Sequence, residues 1–375
     1  MPTIRPAGGV ALAREWVSDL VEIRCSGMDL DGMLLHADRL DDIAGMLVAA
    51  LRLDLPTVCA PVAASPSLSA VLVALGLAPV IEEPASTSVS LAEKDGLHPH
   101  GLIDNFSLAN ALRSGVAAGG GPELLVHLAA LASEARVAGF DQTIRVLTPE
   151  TPEVAPEWLR QHGVPALLSS LGDALHDDIP TVVGTLKEEL PSAPPPPDKY
   201  ARLVFVMARA SGAEAVCRVR EGADEAAGGC RVFGSEEEAV SAVRRGEVGE
   251  GAMVVVGGCG PRGGPGLPRL DALGQALQEA GLEAPVLTDG LAPEGAVGSW
   301  ISLFTPEATE DSVLSLLRDG DTLRMDLAEG RIRTGISARE FESRKPTEFP
   351  DRAGTAYAVR YARTALPALD GAGFG

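Results

Sequence analysis

The chain has 375 residues, of which 52 are acidic and 31 basic, so its formal net charge at pH 7 is −21. This acidity argues against binding to nucleic acid or to an anionic membrane, because both need clustered cations. The length suits two domains, and 46% apolar residues are enough to build a core in each.

The five cysteines are scattered, and they form no Cys-x-x-Cys pair. This pattern is against a disulfide framework or a zinc site and is typical of a reducing compartment. The N-terminus lacks the apolar stretch of a signal peptide. Four prolines interrupt the uncharged run from Leu55 to Ile81, which favours a buried strand, turn and helix over a membrane span. We therefore expect a cytoplasmic protein.

Predicted helices alternate with short apolar strands in residues 1–190, which indicates an α/β layered domain. The helices are predicted over 11–23, 42–53, 67–77, 106–118 and 122–136, and the strands over 32–36 and 55–58. Residues 191–199 contain four consecutive prolines, which favour an extended linker over a helix or a central strand.

From residue 200 to 375 the pattern changes to short β-rich runs and glycine-rich loops, which predicts a β-barrel-like domain with a C-terminal helix. Strands are predicted over 202–208, 229–233, 252–256 and 284–287. Ser235 followed by Glu238 is a capping-box pattern, so a helix is predicted over 235–245. The glycine-rich loop at 257–266 lacks the Gly-Lys-Ser/Thr ending of a phosphate-binding loop.

Several motifs follow one another along most of the chain. They are Gly-Met-Leu-Val-Ala-Ala-Leu-Arg-Leu-Asp-Leu-Pro at 45–56, Gly-Pro-Arg-Gly-Gly-Pro-Gly at 260–266, Thr-Asp-Gly at 288–290 and Thr-Pro-Glu-Ala at 305–308. Their collinear order resembles the dihydroxy-acid and 6-phosphogluconate dehydratase family. The resemblance implies an α/β domain, a β-barrel-like domain, an active site in the cleft between them, and a homodimer.

Members of that family remove water from a vicinal diol acid. The resemblance implies an iron–sulfur cluster on three cysteines, a magnesium ion on acidic residues and a modified lysine, and a serine that takes the proton. In this sequence Arg39 stands at the second cluster cysteine, Leu40 at a metal-binding aspartate and Asp41 at the lysine. Cys59 falls at the third cluster cysteine, although it is equally interpreted as a core residue. The segment with the first cluster cysteine is expected to be missing.

The second half departs from the family in the same way. Arg269 stands at an expected metal-binding glutamate, and Pro293 stands at the serine. Because one thiolate cannot hold an iron–sulfur cluster, we expect neither a cofactor nor a bound metal.

The replaced positions are the candidate site. Catalytic roles are predicted for Asp38, Arg39, Asp41, Arg269 and Glu294, and substrate-binding roles for His36, Cys59 and Arg262. The two arginines of the second half would hold a carboxylate in a two-pronged contact. Glu294, beside Pro293, would act as an acid or base in place of the serine.

Simpler interpretations stay open for each of these residues. Asp38 or Asp41 would cap a helix that begins near Asp42, and the arginines would be solvated or paired internally. Glu294 would be a solvated loop residue. A metal on His36, Asp38 and Asp41 is compatible with the ligand types, but their spacing is unspecific.

The remaining histidines and cysteines have simpler predicted roles. His98 and His100 are expected at the surface, and His127, on an apolar helix face, is expected in the core. Cys25, Cys217, Cys230 and Cys259 are expected to be small packing residues.

Two functions follow from the sequence. The first is a cofactor-independent enzyme of a specialised biosynthetic pathway that acts on a carboxylate-bearing small molecule as a lyase, isomerase or cyclase. The second is a non-catalytic pseudoenzyme that is a structural or regulatory partner of another protein. The enzyme is favoured because Arg39, Asp41 and Arg269 place charges at the replaced positions, where drift would not be expected to put them.

Overall fold

The computed structural model describes residues 8–60, 65–80, 97–194, 197–208, 212–220, 222–223, 225–298, 300–309, 312–349, 352 and 354–375. The first seven residues, the end of the apolar run at Ile81, and Pro195 and Pro196 of the predicted linker lie outside the described residues. The chain divides into two compact units. The helical unit contains Ala13–Arg202, and the barrel unit contains Leu203–Gly375 with the residues up to Leu12.

The sequence assigns residues 8–12 to the N-terminal domain, whereas backbone contacts of Gly9 and Ala11 tie this segment to the barrel unit. Gly9 donates its N–H to the carbonyl of Pro265 at 2.9 Å, and Ala11 donates to the carbonyl of Gly266 at 2.9 Å. A Cβ atom on Gly9 would lie 2.1 Å from the Gly266 oxygen. Only glycine permits this close approach of the two backbones.

The helical unit contains short strands among its helices. The helices are α1 (Val10–Cys25, which starts in the residues assigned to the barrel unit), α2 (Leu40–Leu53), α3 (Pro66–Ala74), α4 (Pro99–Leu102), α5 (Asn105–Ala117), α6 (Pro122–Glu134), α7 (Phe140–Glu150), α8 (Pro156–Leu171) and α9 (Leu186–Glu189). The strands are β1 (Met33–Leu35), β2 (Thr57–Cys59), β3 (Glu153–Val154), β4 (Pro180–Thr181) and β5 (Gly184–Thr185). Strands β1 and β2 pair in parallel, with Leu35 opposite Cys59.

The start of α2 corrects one alternative from the sequence. The helix begins at Leu40, and its N-cap is Arg39, which makes no side-chain capping hydrogen bond. Asp41 is buried in the first turn. Neither Asp38 nor Asp41 therefore stands at the N-cap, because the chain enters the helix two residues earlier than predicted. Oδ1 of Asp41 nevertheless accepts from the N–H of Asp42 at 3.1 Å within the first turn.

The barrel unit is built on eight strands that close into a barrel. They are β6 (Lys199–Ala208, whose first residues belong to the helical unit), β7 (Ala213–Arg220), β8 (Glu225–Phe233), β9 (Ala252–Val256), β10 (Val286–Thr288), β11 (Trp300–Thr305), β12 (Thr322–Asp326) and β13 (Arg331–Thr334). Their order is β13-β12-β8-β9-β10-β11-β7-β6, and the pairing of Arg331 with Met207 closes the ring. The predicted fold class, an α/β domain followed by a β-barrel-like domain, is confirmed.

Strand β9 shows how the sequence produces a core on both faces of the barrel. Met253 and Val255 belong to one buried cluster with residues of the other barrel strands. Val254 and Val256 face the other way, because side chains alternate along a strand. They pack with α10 (Glu236–Arg244) and α11 (Asp271–Ala280).

Two details of this unit matter for the site. Strands β8, β9, β10 and β11 run parallel, so their carboxyl ends meet at one edge of the barrel. Helix α10 starts as predicted, because the Ser235 hydroxyl accepts from the Glu238 N–H at 3.1 Å.

The C-terminal part adds α12 (Val313–Leu316), α13 (Ala338–Ser343) and α14 (Ala356–Thr364). Within the residues that the structure describes, no helix combines the length and the apolar character needed to span a membrane.

Candidate functional site

The first group of predicted residues follows β1 in the helical unit. His36, Asp38 and Arg39 are exposed, and Asp41 is buried. Arg39 and Asp41 bind each other, with 3.2 Å from Nε to Oδ1 and 3.4 Å from Nη2 to Oδ2. Arg39 thus neutralises the buried carboxylate within the same turn of chain, which fits the internally paired alternative.

Cys59 is fully buried at the end of β2, and its N–H donates to the Leu77 carbonyl at 2.7 Å. Burial raises the pKa of its thiol far above the ordinary value. An enclosed, neutral thiol has little contact with a substrate and packs like a small apolar side chain. The structure therefore favours the core interpretation of this residue over substrate binding.

The donor set does not fit the iron–sulfur cluster and magnesium ion that the family resemblance implies. Arg39, at one cluster position, carries a guanidinium that pairs with Asp41 in place of a thiolate, and Cys59 cannot hold a cluster alone. No group of three or more His, Cys, Asp or Glu suited to a metal occurs in the described part of the chain. His36, Asp38 and Asp41 therefore do not form such a group, and the alternative of a metal on these three residues is not supported.

The second group lies in the barrel unit. Arg269 is mostly buried, with 15% of its side chain exposed, and its Nη1 lies 3.9 Å from Oε2 of Glu294. Glu294 is 83% exposed and lines a groove of about 710 Å³ beside α11. The volume suits a small molecule, but Asp271 and Glu283 also line this groove, so carboxylates outnumber Arg220 there.

Arg262 is held differently from the prediction. Its Nε donates to the carbonyl of Ala365 at 3.1 Å, so its side chain is tied to the C-terminal segment. Its backbone N–H donates to Oε2 of Glu307 at 3.1 Å. The loop at 257–266 is thus attached at Arg262 through both the side chain and the main chain.

Sequence analysis gave no role to two buried carboxylates at the carboxyl ends of parallel strands. Asp289 follows β10, and its carboxylate accepts from the N–H groups of Cys259 and Ala308 at 2.8 Å and of Gly258 at 3.2 Å. Glu307 lies just beyond β11. The glycine-rich loop therefore folds around these two side chains.

The loop also approaches the Glu307 carboxylate closely. Its Oε2 also accepts from the N–H of Gly263 at 3.2 Å, and a Cβ atom on Gly260 would lie 2.2 Å from the same oxygen. The side chain is 7% exposed. Only glycine at 260 lets the loop come this close to the carboxylate.

Burial sets the electrostatics of both carboxylates. It raises the pKa of Asp289, against the opposing effect of backbone hydrogen bonds from Ala308 and Cys259. It also raises the pKa of Glu307 to about 7, and the negative charge of Asp289 adds to the rise. A carboxyl group that titrates near neutral pH can both give and take a proton under ordinary conditions.

The sequence did contain a signal for these residues. Asp289 and Glu307 each follow an apolar run, Val286–Thr288 and Trp300–Thr305. Ligands of open α/β sheets bind at the carboxyl ends of the strands. The runs became recognisable as neighbouring strands only with the barrel topology, and that is why the pair was missed.

Arg352 contacts the same loop. Its Nη1 lies 3.4 Å from the Gly258 carbonyl and 3.5 Å from the Cys259 sulfur. Burial raises the pKa of the Cys259 thiol to about 12, so this sulfur carries no charge at neutral pH.

The histidine predictions are confirmed. His127 is 1% exposed, and its ring is 3.4 Å from both the Arg14 guanidinium and the Glu123 carboxylate. His98 and His100 lie at the surface, where they contact the carbonyls of Asp54 and Leu51. Of the cysteines predicted to pack, Cys217, Cys230 and Cys259 are buried, and Cys25 is half-buried.

Each of the two units contains a region that matches a model of a known protein family. The family model for the dihydroxy-acid/6-phosphogluconate dehydratase N-terminal domain matches residues 77–189, and the model for the C-terminal domain matches residues 207–372. The dihydroxy-acid dehydratase of Ruminiclostridium cellulolyticum is 30% identical over 315 residues, which cover 76% of this chain and 57% of the relative. The dihydroxy-acid dehydratase 1 of Nocardia farcinica is 33% identical over 279 residues, 67% of this chain and 49% of the relative.

A third relative gives a similar match. The dihydroxy-acid dehydratase of Methanothermobacter thermautotrophicus is 28% identical over 308 residues, 74% of this chain and 56% of the relative. The chain spans about half the length of the curated relatives that it matches. The two matched domains and their order along the chain place it in the dihydroxy-acid/6-phosphogluconate dehydratase family.

Proposed function

We propose that this protein is a cofactor-independent enzyme of a specialised biosynthetic pathway that acts on a carboxylate-bearing small molecule by acid–base catalysis. The observation that carries the proposal is Glu307, a buried carboxyl group with a pKa near 7, held by a glycine-rich loop at the carboxyl ends of parallel strands. Perturbed pKa values cluster at functional sites, where a carboxyl group in a cleft has to exchange protons near neutral pH.

The chemistry follows from what Glu307 can do without a metal. As a base it takes the proton beside the substrate carboxylate, and as an acid it returns a proton to another carbon or to a leaving group. Hydroxide is a poor leaving group without a Lewis acid. We therefore favour loss of a better leaving group, an isomerisation or a cyclisation over the removal of water.

The substrate class rests on the relatives and on the donors at the replaced positions. The curated relatives are named for dihydroxy acids, so we expect a hydroxylated carboxylic acid or a derivative of one. Independence from a cofactor rests on Arg39, which has no thiolate at its cluster position, and on Cys59, which cannot hold a cluster alone.

Hydrogen exchange at the substrate carbon provides a direct test. The chain, dialysed against chelators of iron and magnesium, is incubated in D2O with a panel of hydroxylated carboxylates and their phosphate and acetyl esters, and NMR follows the proton beside the carboxylate. We expect deuterium to enter at least one compound, and Glu307→Gln to slow the exchange by about 100-fold or more, the usual worth of a general base. Glu342→Gln, an exposed residue of α13, is the matched control and is expected to change nothing.

Exchange that disappears on chelation would contradict independence from a cofactor. Exchange that is equally fast in Glu307→Gln would contradict the role of this carboxylate.

The non-catalytic alternative has one observation in its favour. Arg39 pairs with Asp41, and Arg269 lies 3.9 Å from Glu294, so these charges have neighbours of opposite sign within the chain. This alternative predicts no exchange with any compound, together with a stable complex with a full-length member of the family in light scattering.

A further inference from the structure

The groove beside α11 on the barrel unit is longer than its part at Glu294. The part of about 710 Å³ lies between the helix and residues 293–298. A second part of about 300 Å³ lies at residues 249–251 and at the end of the helix. Leu282, Glu283 and Ala284 line both parts, so the two adjoin. Together they offer an open, extended space of the size that small organic molecules occupy.

The wall of the groove opposite α11 is fixed to the helix. The N–H of Glu294 donates to Oδ1 of Asp271 at 3.2 Å. A Cβ atom on Gly274 would lie 2.5 Å from Cγ of Pro293, so the bare backbone at 274 lets this wall pack directly on the helix. The groove is therefore formed by the protein alone, and a ligand would spend little of its binding energy on ordering it.

The charges along the groove are mostly negative. Among the described residues that line it, four are carboxylates and one is an arginine: Glu250, Asp271, Glu283, Glu294 and Arg220. The side chains of Glu250 and Glu283 are exposed and form no ion pair with any residue that the structure describes. Their charges are therefore available to a ligand.

Apolar side chains stand between these carboxylates. Leu282 and Ala284 flank Glu283 in the segment that both parts share, and Trp300 lines the larger part beside residues 293–298. Apolar surface suits methylene groups, and an indole ring attracts a cation over its face. The lining is therefore complementary to a flexible chain in which methylene groups alternate with ammonium groups.

We propose that this groove binds a linear polyamine. A polyamine at Glu283, which lines both parts, has a further carboxylate on either side, Glu250 in the smaller part and Glu294 in the larger. Its ammonium groups would meet these carboxylates, and its methylene groups would lie on the apolar lining. The inference goes beyond the proposed function and does not depend on it, because Glu307 lines neither part.

Calorimetric titration at low salt tests the proposal with three probes. They are spermidine, 1,8-octanediol as an uncharged chain of similar length, and Mg²⁺ as a compact cation. We expect one spermidine per chain and no saturable binding of the other two. Because an exposed ion pair contributes a factor of up to about five, Glu283→Gln is expected to weaken spermidine binding about three- to fivefold. The double variant Glu250→Gln, Glu283→Gln is expected to weaken it about tenfold.

The matched control is Glu342→Gln, which removes an exposed carboxylate of α13 that lines neither part of the groove. It is expected to bind spermidine as wild type does. An equal loss of affinity in Glu342→Gln and Glu283→Gln would reduce the effect to the general attraction of an acidic protein for cations and would overturn the proposal. So would the absence of spermidine binding by wild type, or binding of Mg²⁺ or of octanediol alone.

Tryptophan fluorescence locates the bound polyamine. Trp300 lines the groove, whereas Trp16 and Trp158 belong to the helical unit. We expect spermidine to change the emission of wild type and of Trp158→Phe, and to leave the emission of Trp300→Phe unchanged. A change that persists in Trp300→Phe and disappears in Trp158→Phe would place the ligand on the helical unit and contradict the proposed site.

Discussion

At the residue scale, Glu307 holds a proton at pH values where an exposed glutamate has already lost it. The dominant cause is removal of the carboxylate from water, and the negative charge of Asp289 adds to it. The amides of Gly263 and Arg262 act in the opposite direction, because they stabilise the ionised form. Desolvation prevails because both side chains are almost fully enclosed, with 7% of Glu307 and 1% of Asp289 exposed.

This shift predicts how stability depends on pH. Glu307 has a pKa of about 7 when folded and an ordinary value of 4.5 when unfolded, so the folded chain binds the proton more tightly. Its contribution to stability is complete below pH 4.5 and is lost as the pH rises through 7. We expect a decrease on the order of 2–3 kcal/mol across this range. Urea unfolding at pH values from 4.5 to 8 measures it.

The comparison between variants isolates the group, since other side chains titrate as well. Glu307→Gln is expected to remove this component of the slope, whereas Glu342→Gln retains it. Asp321, whose pKa the Arg344 guanidinium lowers, contributes a slope of the opposite sign at lower pH in all three proteins. Identical slopes in Glu307→Gln and wild type would show that Glu307 is not the titrating group.

At the element scale, the loop at 257–266 is shaped by the side chains that it encloses. Asp289 and Glu307 accept from the N–H groups of Gly258, Cys259, Arg262 and Gly263. The glycine-rich sequence allows this close wrapping, but its pattern does not show what the loop encloses. The carboxylates come from positions about 30 and 45 residues further along the chain, and only the parallel pairing of β9, β10 and β11 brings them there.

Gly260→Ala tests the packing of this element. The new methyl group would lie 2.2 Å from Oε2 of Glu307, so the carboxylate or the loop has to move. We expect a loss of stability of about 1–3 kcal/mol, as for other overpacked sites. Faster hydrogen exchange at the amides of Arg262 and Gly263 is expected as well. Gly249→Ala, where a Cβ atom meets no neighbour within 4 Å, is the control. Equal exchange in both variants would show that Glu307 does not hold the loop.

The barrel strands show the limits of sequence patterns at this scale. Strands β6, β8, β9 and β10 were predicted, because their apolar runs stand between clear turns. Strand β7 was not, since Ala213–Arg220 includes Glu214 and Arg218 among its apolar residues, and both are buried in the structure. Strand β13 has the sequence Arg-Ile-Arg-Thr and owes its place to pairing with β12 and β6. Such pairings join distant segments, so no local pattern contains them.

At the scale of the whole molecule, we propose a homodimer, as the family resemblance implies. The mass of one chain is 38.7 kDa, so light scattering after size exclusion is expected to give about twice that value. The net charge of −21 opposes association, and the dimer is expected to tighten as salt screens the repulsion. A mass of 38.7 kDa at all protein concentrations and in high salt would contradict this proposal.

The sequence by itself determined the family, the order of the two matched domains, and most helices and central strands. These are recorded in motif order and in the local periodicity of apolar residues, which need no knowledge of distant contacts. The tertiary structure decided which charged groups are buried, which are paired and which have a shifted pKa. In this sense only some of them are exceptional. Arg39 and Arg269 looked exceptional but lie beside carboxylates of the chain, whereas the buried carboxylates Asp289 and Glu307 proved so. Burial and pairing depend on atoms from remote segments, and the cost of removing a charge from water is set by that surrounding shell, which no stretch of sequence specifies.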